Sequence, residues 1–244
     1  MEKNKNIKNN NGQANGEILD FAERIGYDYK NIALLKTALT HSSYSNEMKS
    51  KGAKAESNER LEFLGDSVLS LITSEYIYLK LKDYKEGELT RIRATVVCED
   101  SLFGFAESIK LGEALFLGNG EIISNGRSRK SILADAFEAV LGSIFLDGGL
   151  NAAKKFLIRF IEKPIEDIVN EGEFKDYKSL LQQIIQQGGE VLEYVLVGES
   201  GPAHEKIFEV QALLNNNVVG EGKGRSKKAA EQNAAKEALG LFGY

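Results

Sequence analysis

The chain of 244 residues is predicted to fold as an all-α N-terminal domain followed by a small α+β domain of order α-β-β-β-α. Three observations carry this prediction. From about Glu17 to Glu171 apolar residues recur at three- and four-residue spacing, the period of an amphipathic helix. Around 170–175, "NEGEFK", apolar content drops and charge rises, as expected of a linker. Beyond it the apolar period shortens toward two, with an asparagine turn between strands. The expected organisation is a disordered Asn/Lys tail at 1–16, a helical domain at 17–169, a linker at 170–175 and the small domain at 176–244.

The helical segments follow in order: "EILDFAERI", "NIALLKTALTH", "NERLEFLGDSVLSLITSEYIYLKL", "GELTRIRATVVCEDSLFGFAESIKL", "SILADAFEAVLGSIFLD" and "NAAKKFLIRFIEKPIEDIVN", with Pro164 as the internal breaker. In the small domain "KSLLQQIIQQG" reads as a helix. "EVLEYVLVGES", "KIFEVQALL" and "VVGEGKG" read as strands, "NNN" as a turn, and "RSKKAAEQNAAKEALGLF" as a closing helix capped by Ser226.

Composition bounds the function. A net charge of −5 argues, taken over the whole chain, against a polyanionic partner. Cys98 is the single cysteine, which rules out an internal disulfide framework and suits a reducing cytoplasm; it reads as a small core residue on a helix. The longest apolar stretch, 131–147, is too short and too acidic to span a bilayer.

Two acid sets carry the chemistry. In "NERLEFLGDSVL" Glu59, Glu62 and Asp66 stand at i, i+3 and i+7 and share one narrow stripe. It borders an apolar stripe of Leu61, Leu64, Val68 and Leu71. In the second helix Asp135 and Glu138 stand inside an apolar run with nothing basic among them. Carboxylates beside apolar packing are costly unless a cation or hydrogen bonds compensate them, so a cluster of them calls for positive charge. Glu62, Asp66, Asp135 and Glu138 offer four oxygen donors without His or Cys, a set for Mg²⁺ or Mn²⁺ rather than Zn²⁺. Gly142, one turn beyond Glu138, is expected to leave room for an ion or substrate. The competing reading is a solvated acidic face paired with Arg60, Arg91 and Arg93.

"NERLEFLGDSVL" resembles the signature stretch of the ribonuclease III family. "ALTHSSY", "EGELTRIRATVV" and "SILADAFEAVLGSIFLDGG" resemble that family's other blocks, and the similarity runs from about Gly26 to the C-terminus. The resemblance implies that Glu62, Asp66, Asp135 and Glu138 are the catalytic, metal-binding acids. Glu59 and Glu86 would be supporting acids of the same valley, and Phe63 an aromatic of a homodimer interface. It further implies an endoribonuclease that cuts double-stranded RNA with Mg²⁺, or with Mn²⁺ as its substitute. The products would carry 5′-phosphate and 3′-hydroxyl ends, and RNA processing such as that of rRNA and mRNA precursors would be its task. No membrane partner and no small-molecule cofactor is expected, and the setting would be cytoplasmic. The rivals are a non-cleaving double-stranded-RNA-binding protein and a phosphohydrolase of small substrates.

The terminal unit is similar to a double-stranded-RNA-binding domain, which reads A-form shape through 2′-hydroxyls and phosphates. The resemblance implies RNA contacts from Ser179, Gln182 and Gln183 on the first helix, His204 in "GPAHEK", and Lys227 and Lys228 at a helix N-terminus, where the dipole favours phosphate. Gln183 departs from the glutamate usual there, and an amide donates as well as accepts. Residues 174–244 hold eight Lys and Arg against nine Asp and Glu, so only the local cluster Lys223, Arg225, Lys227 and Lys228 is basic. His41 is expected to orient or pack locally rather than act as a base.

Overall fold

A computed structural model describes residues 16–171, 176–186, 190–202 and 205–242. The expected tail up to residue 15, most of the expected linker and His204 lie outside the described residues. The chain divides into two compact units, one formed by residues up to Lys82 with Arg93–Ile165, the other by Asp83–Ile92 with the chain from Glu166 onward.

The first unit is helical. In α1, residues 16–25, Ile18, Phe21, Ala22 and Ile25 are buried at the spacing the sequence predicts. Its end turns on Gly26, whose φ of 68° suits glycine. Helix α2, Ile32–Ala38, is capped by Asn31, whose side chain accepts from the Ala33 N–H at 3.2 Å. The predicted helix over 31–41 stops there, because Thr40 pairs with Phe116 in an isolated bridge and a short helix not expected from the sequence, α3 (Ser42–Ser50), follows. His41 starts it: the side chain accepts from the Ser43 N–H at 3.2 Å, the local orienting role expected of it.

Helix α4, Glu59–Lys80, buries Leu61, Gly65, Val68, Leu69 and Ile72. Leu71, expected on that stripe, is exposed; it lies eight residues from Phe63 and shares the Phe63 side of the helix. The predicted continuous helix from Gly87 to Leu111 is two helices, α5 (Glu86–Val96) and α6 (Glu99–Ser108). Cys98 separates them as an extended residue capping α6 and is exposed, not in the core, because a capping position lies outside the packed face. Short helices α7 (Leu111–Ala114) and α8 (Asn119–Ile123) and a 3₁₀ turn at Gly126–Ser128 lead into α9, Lys130–Glu171. Helix α9 is kinked at Gly149, where φ is 77°, and runs on through Pro164. Its first part is the hub of the core. Phe137, Val140, Leu141 and Ile144 are fully buried, and the Phe137 ring contacts Phe105, Phe156 and Phe160 at 5.2–5.7 Å.

The second unit contains α10 (Tyr177–Gln186), β1 (Leu192–Ser200), β2 (Ile207–Leu214), β3 (Asn217–Gly224) and α11 (Lys227–Leu241). The sheet is antiparallel in the order β1-β2-β3, so the predicted α-β-β-β-α order is found. Asn215 and Asn216 make the two-residue hairpin turn with φ of 47° and 68°. Ser226 caps α11 by accepting from the Ala229 N–H at 3.1 Å. Along β3 Gly220, Gly222 and Gly224 face α11 so closely that a Cβ on Gly222 would lie 2.2 Å from the Ala230 carbonyl. Ala230, Ala234 and Ala238 on the helix are fully buried in return. In the same unit Glu88, 5% exposed, accepts from the N–H of Lys85 at 2.6 Å and of Asp176 at 2.8 Å, which satisfies both carboxylate oxygens.

Candidate functional site

The acid site is made by a close helix crossing. A Cβ placed on Gly65 would fall 1.9 Å from the Glu138 carbonyl oxygen, and one on Gly142 would fall 2.4 Å from the Leu61 carbonyl. Glycine at both positions therefore lets α4 and α9 touch backbone to backbone, and the acids flanking the crossing come together. The space expected beside Gly142 for an ion or substrate is occupied by α4, so its role is helix contact instead.

Electrostatics show that Glu62, Asp66, Asp135 and Glu138 share one field. The Glu138 carboxyl is pushed up from 4.5 to about 8, first by burial and then by Asp66, Asp135 and Glu62. Burial also raises Glu62, with Asp135, Glu59 and Asp66 adding to it. Asp135 keeps an exposed surface yet is raised as well, chiefly by loss of water around it and then by Glu99, while His41 acts in the opposite sense. Glu99, the first residue of α6, is thus a contributor that helical spacing on one element could not reveal.

Among the described residues no lysine or arginine forms an ion pair with these four acids. Two arginines proposed as partners are engaged elsewhere: Arg93 donates to Ser74 at 3.0 Å and Arg91 to the Gly87 carbonyl at 3.2 Å. The paired acidic face is therefore not what the fold builds. Nor are three ligating side chains gathered tightly enough, among the described residues, to hold an ion as they stand. What fits a hard cation is the donor set, four carboxylates of which Glu62 and Glu138 are raised by burial and then by the negative charge of their neighbours.

The remaining expected residues fall as follows. Glu59 is exposed and accepts from the Ser57 hydroxyl at 2.7 Å, while its charge reaches Glu62. Glu86, in the second unit, accepts from the Thr90 hydroxyl at 3.0 Å. Phe63 is 78% exposed and is no core residue. With Leu71 and Tyr78, also exposed, it forms an apolar stripe on α4.

In the second unit Ser179, Gln182, Lys227 and Lys228 line one cleft of about 580 Å³. Gln183 is exposed on the same helix but is not among the cleft residues. On the cleft Lys178 pairs with Glu231 at 2.5 Å; elsewhere in the unit Lys223 pairs with Glu209 at 2.6 Å and Lys206 with Glu199. No helix among the described residues is long and apolar enough to cross a membrane.

Comparison with known proteins matches two stretches of the chain. Residues 31–165 match the family model described as ribonuclease-III-like, and residues 177–240 match the double-stranded RNA binding motif. The chain is 47% identical over 221 residues to ribonuclease 3 of Clostridium botulinum (strain Eklund 17B / Type B), covering 90% of this chain and 94% of that protein. It is 45% identical over 224 residues to ribonuclease 3 of Listeria monocytogenes, covering 90% and 95%. A solved nuclease domain of ribonuclease III from Campylobacter jejuni, described as flexible in a region involved in its dimer formation, is similar with a TM-score of 0.54. It is 39% identical and spans 59% of this chain and 95% of that one.

Proposed function

The chain belongs to the ribonuclease III family, and from that premise we propose that it hydrolyses phosphodiester bonds in double-stranded RNA with a divalent cation held by Glu62, Asp66, Asp135 and Glu138. The products carry 5′-phosphate and 3′-hydroxyl ends, and the substrates are structured precursors such as those of rRNA and mRNA. The observation that supports the reading is the mutual influence of acids flanking the Gly65–Gly142 crossing, none of which is ion-paired with a lysine or arginine among the described residues.

Mg²⁺, or Mn²⁺ in its place, supplies a water of lowered pKa and charge stabilisation on the phosphate and leaving oxygen. The chain's part is to present ionised carboxylates in a fixed frame. Glu138, half-buried and raised to about 8, is poised to lose its proton as positive charge arrives. Glu59 and Glu86 serve as supporting acids. The second unit positions the duplex: Ser179 and Gln182 face the minor groove, with Gln183 beside them. Lys227 and Lys228, at the N-terminus of α11, face phosphate. Phe63 and its apolar stripe pack against a second copy of the chain, giving a homodimer with one valley for each strand.

Labelled duplex RNA incubated with Mg²⁺ or with EDTA tests this. Shortening that requires the metal is expected. A shift in mobility without shortening would replace the enzyme by a binding protein.

A further inference from the structure

At the start of α10 the hydrogen-bond directions of Ser179 are fixed by its neighbours. The Ser179 hydroxyl donates to Asp176 Oδ2 at 2.7 Å, and the Ser179 N–H donates to Oδ1 at 3.1 Å. Gln232, a buried polar residue of α11, closes the arrangement. Its Oε1 accepts from the Lys178 N–H at 3.1 Å, so its Nε2 must be the end that donates to Asp176 Oδ1, at 3.1 Å. These contacts hold Asp176 well below the usual carboxylate range, the Ser179 hydroxyl being the largest cause. An ionised carboxylate only accepts, and a hydroxyl has one proton. The proton of Ser179 is therefore spent on Asp176, and only its lone pairs face the cleft.

We propose that Asp176, oriented by Gln232, is a positioning residue that makes Ser179 an obligate acceptor for the 2′-hydroxyl proton of the bound duplex. A 2′-hydroxyl donates as well as accepts, and it is the group that distinguishes RNA from DNA. A 2′-fluoro group has no proton to give. The assignment rests on the reading of this cleft as an RNA-binding surface.

Asp176→Asn is nearly isosteric and inverts the direction. Because Gln232 Nε2 and the Ser179 N–H both require an oxygen at Oδ1, the new amide nitrogen must face the Ser179 hydroxyl and donate to it. That hydroxyl then points its own proton into the cleft. The experiment titrates the full chain, without divalent metal, with an RNA duplex and with the same duplex carrying 2′-fluoro in place of 2′-hydroxyl. The wild-type chain is expected to prefer RNA. In Asp176→Asn that preference should shrink by roughly two- to tenfold, the range for one hydrogen bond. Both duplexes see the same preparation, so partial unfolding of a variant cancels from the ratio. Ser179→Ala should shrink the preference similarly, and the double variant should shrink it no further than either single one. A variant that weakens both duplexes equally, leaving the ratio at its wild-type value, would overturn the assignment and reduce Asp176 to a structural cap. A wild-type chain that binds neither duplex would instead overturn the RNA-binding reading beneath it.

Discussion

The two functional regions of this chain treat the same side chains in opposite ways. Across the α4–α9 crossing, carboxylates are crowded and raised, Glu138 to about 8. In the second unit carboxylates are satisfied and lowered: Asp176 by Ser179 first and also by Gln232, Glu199 by Lys206. The first arrangement costs stability, since burial and like charge both disfavour ionisation. The second binds its acids into fixed contacts. An uncompensated cluster marks the place where a charge must be supplied from outside. A compensated one marks a surface whose shape is already set before a partner arrives.

The largest expected effects break the two regions separately. Gly65→Val would drive a side chain into the Glu138 carbonyl, and Gly222→Val would do the same against α11. Each should cost about 3 kcal/mol, the upper end for overpacking, read in chemical denaturation. The outcomes should cross over: Gly65→Val loses cleavage while duplex binding persists, and Gly222→Val loses binding while its first unit stays folded. Both functions failing together in either variant would mean that the regions are not separable.

Phe63→Ala should have a smaller effect and sharpens the account of the acidic helix's outer face. A core phenylalanine would cost about 3–5 kcal/mol, but an exposed one should change monomer stability by no more than about 0.5 kcal/mol. The dimer dissociation constant, followed by sedimentation, should rise about tenfold or more. A stable variant with unchanged dimerisation would remove Phe63 from the interface.

Much of this was legible in the sequence, and the limits have physical causes. The acid spacings singled out Glu62, Asp66, Asp135 and Glu138 as a candidate set because each pair lies on one helix, where periodicity fixes the face. Gly142 was misread because its purpose depends on α4, a partner no local pattern names. Glu99 and Glu88 escaped for the same reason, since each acts on residues far away in the chain. The break at Cys98 was missed because apolar spacing continues across it while the backbone does not. In the small domain the packing of α11 on β3 was not read from the sequence, because it needs the alternation Gly220, Gly222, Gly224 and the spacing Ala230, Ala234, Ala238 to be taken together. Either one alone reads only as strand or helix.

The smallest expected effect concerns the cleft. Lys227→Ala should weaken duplex binding modestly and lower the slope of log affinity against log salt by about 1. A variant with the wild-type salt slope would show that Lys227 does not face phosphate.

The central claim, that the acids of the crossing await a cation, is tested most directly by Glu138→Gln in metal-free thermal melts across pH, alongside cleavage with Mg²⁺. In the folded chain Glu138 keeps its proton up to about pH 8, whereas its usual value is 4.5. Between these values the folded state binds the extra proton, so wild-type stability falls as pH rises through the window. The amide removes that loss. At pH 7.5 the variant should melt higher than wild type, by an amount equivalent to about 1–3 kcal/mol, and below about pH 4.5 the two should coincide. Mg²⁺ should then stabilise wild type more than the variant, and cleavage by the variant should fall by about two orders of magnitude or more. A variant that melts lower than wild type without metal at pH 7.5, or that cuts at the wild-type rate, would contradict the account.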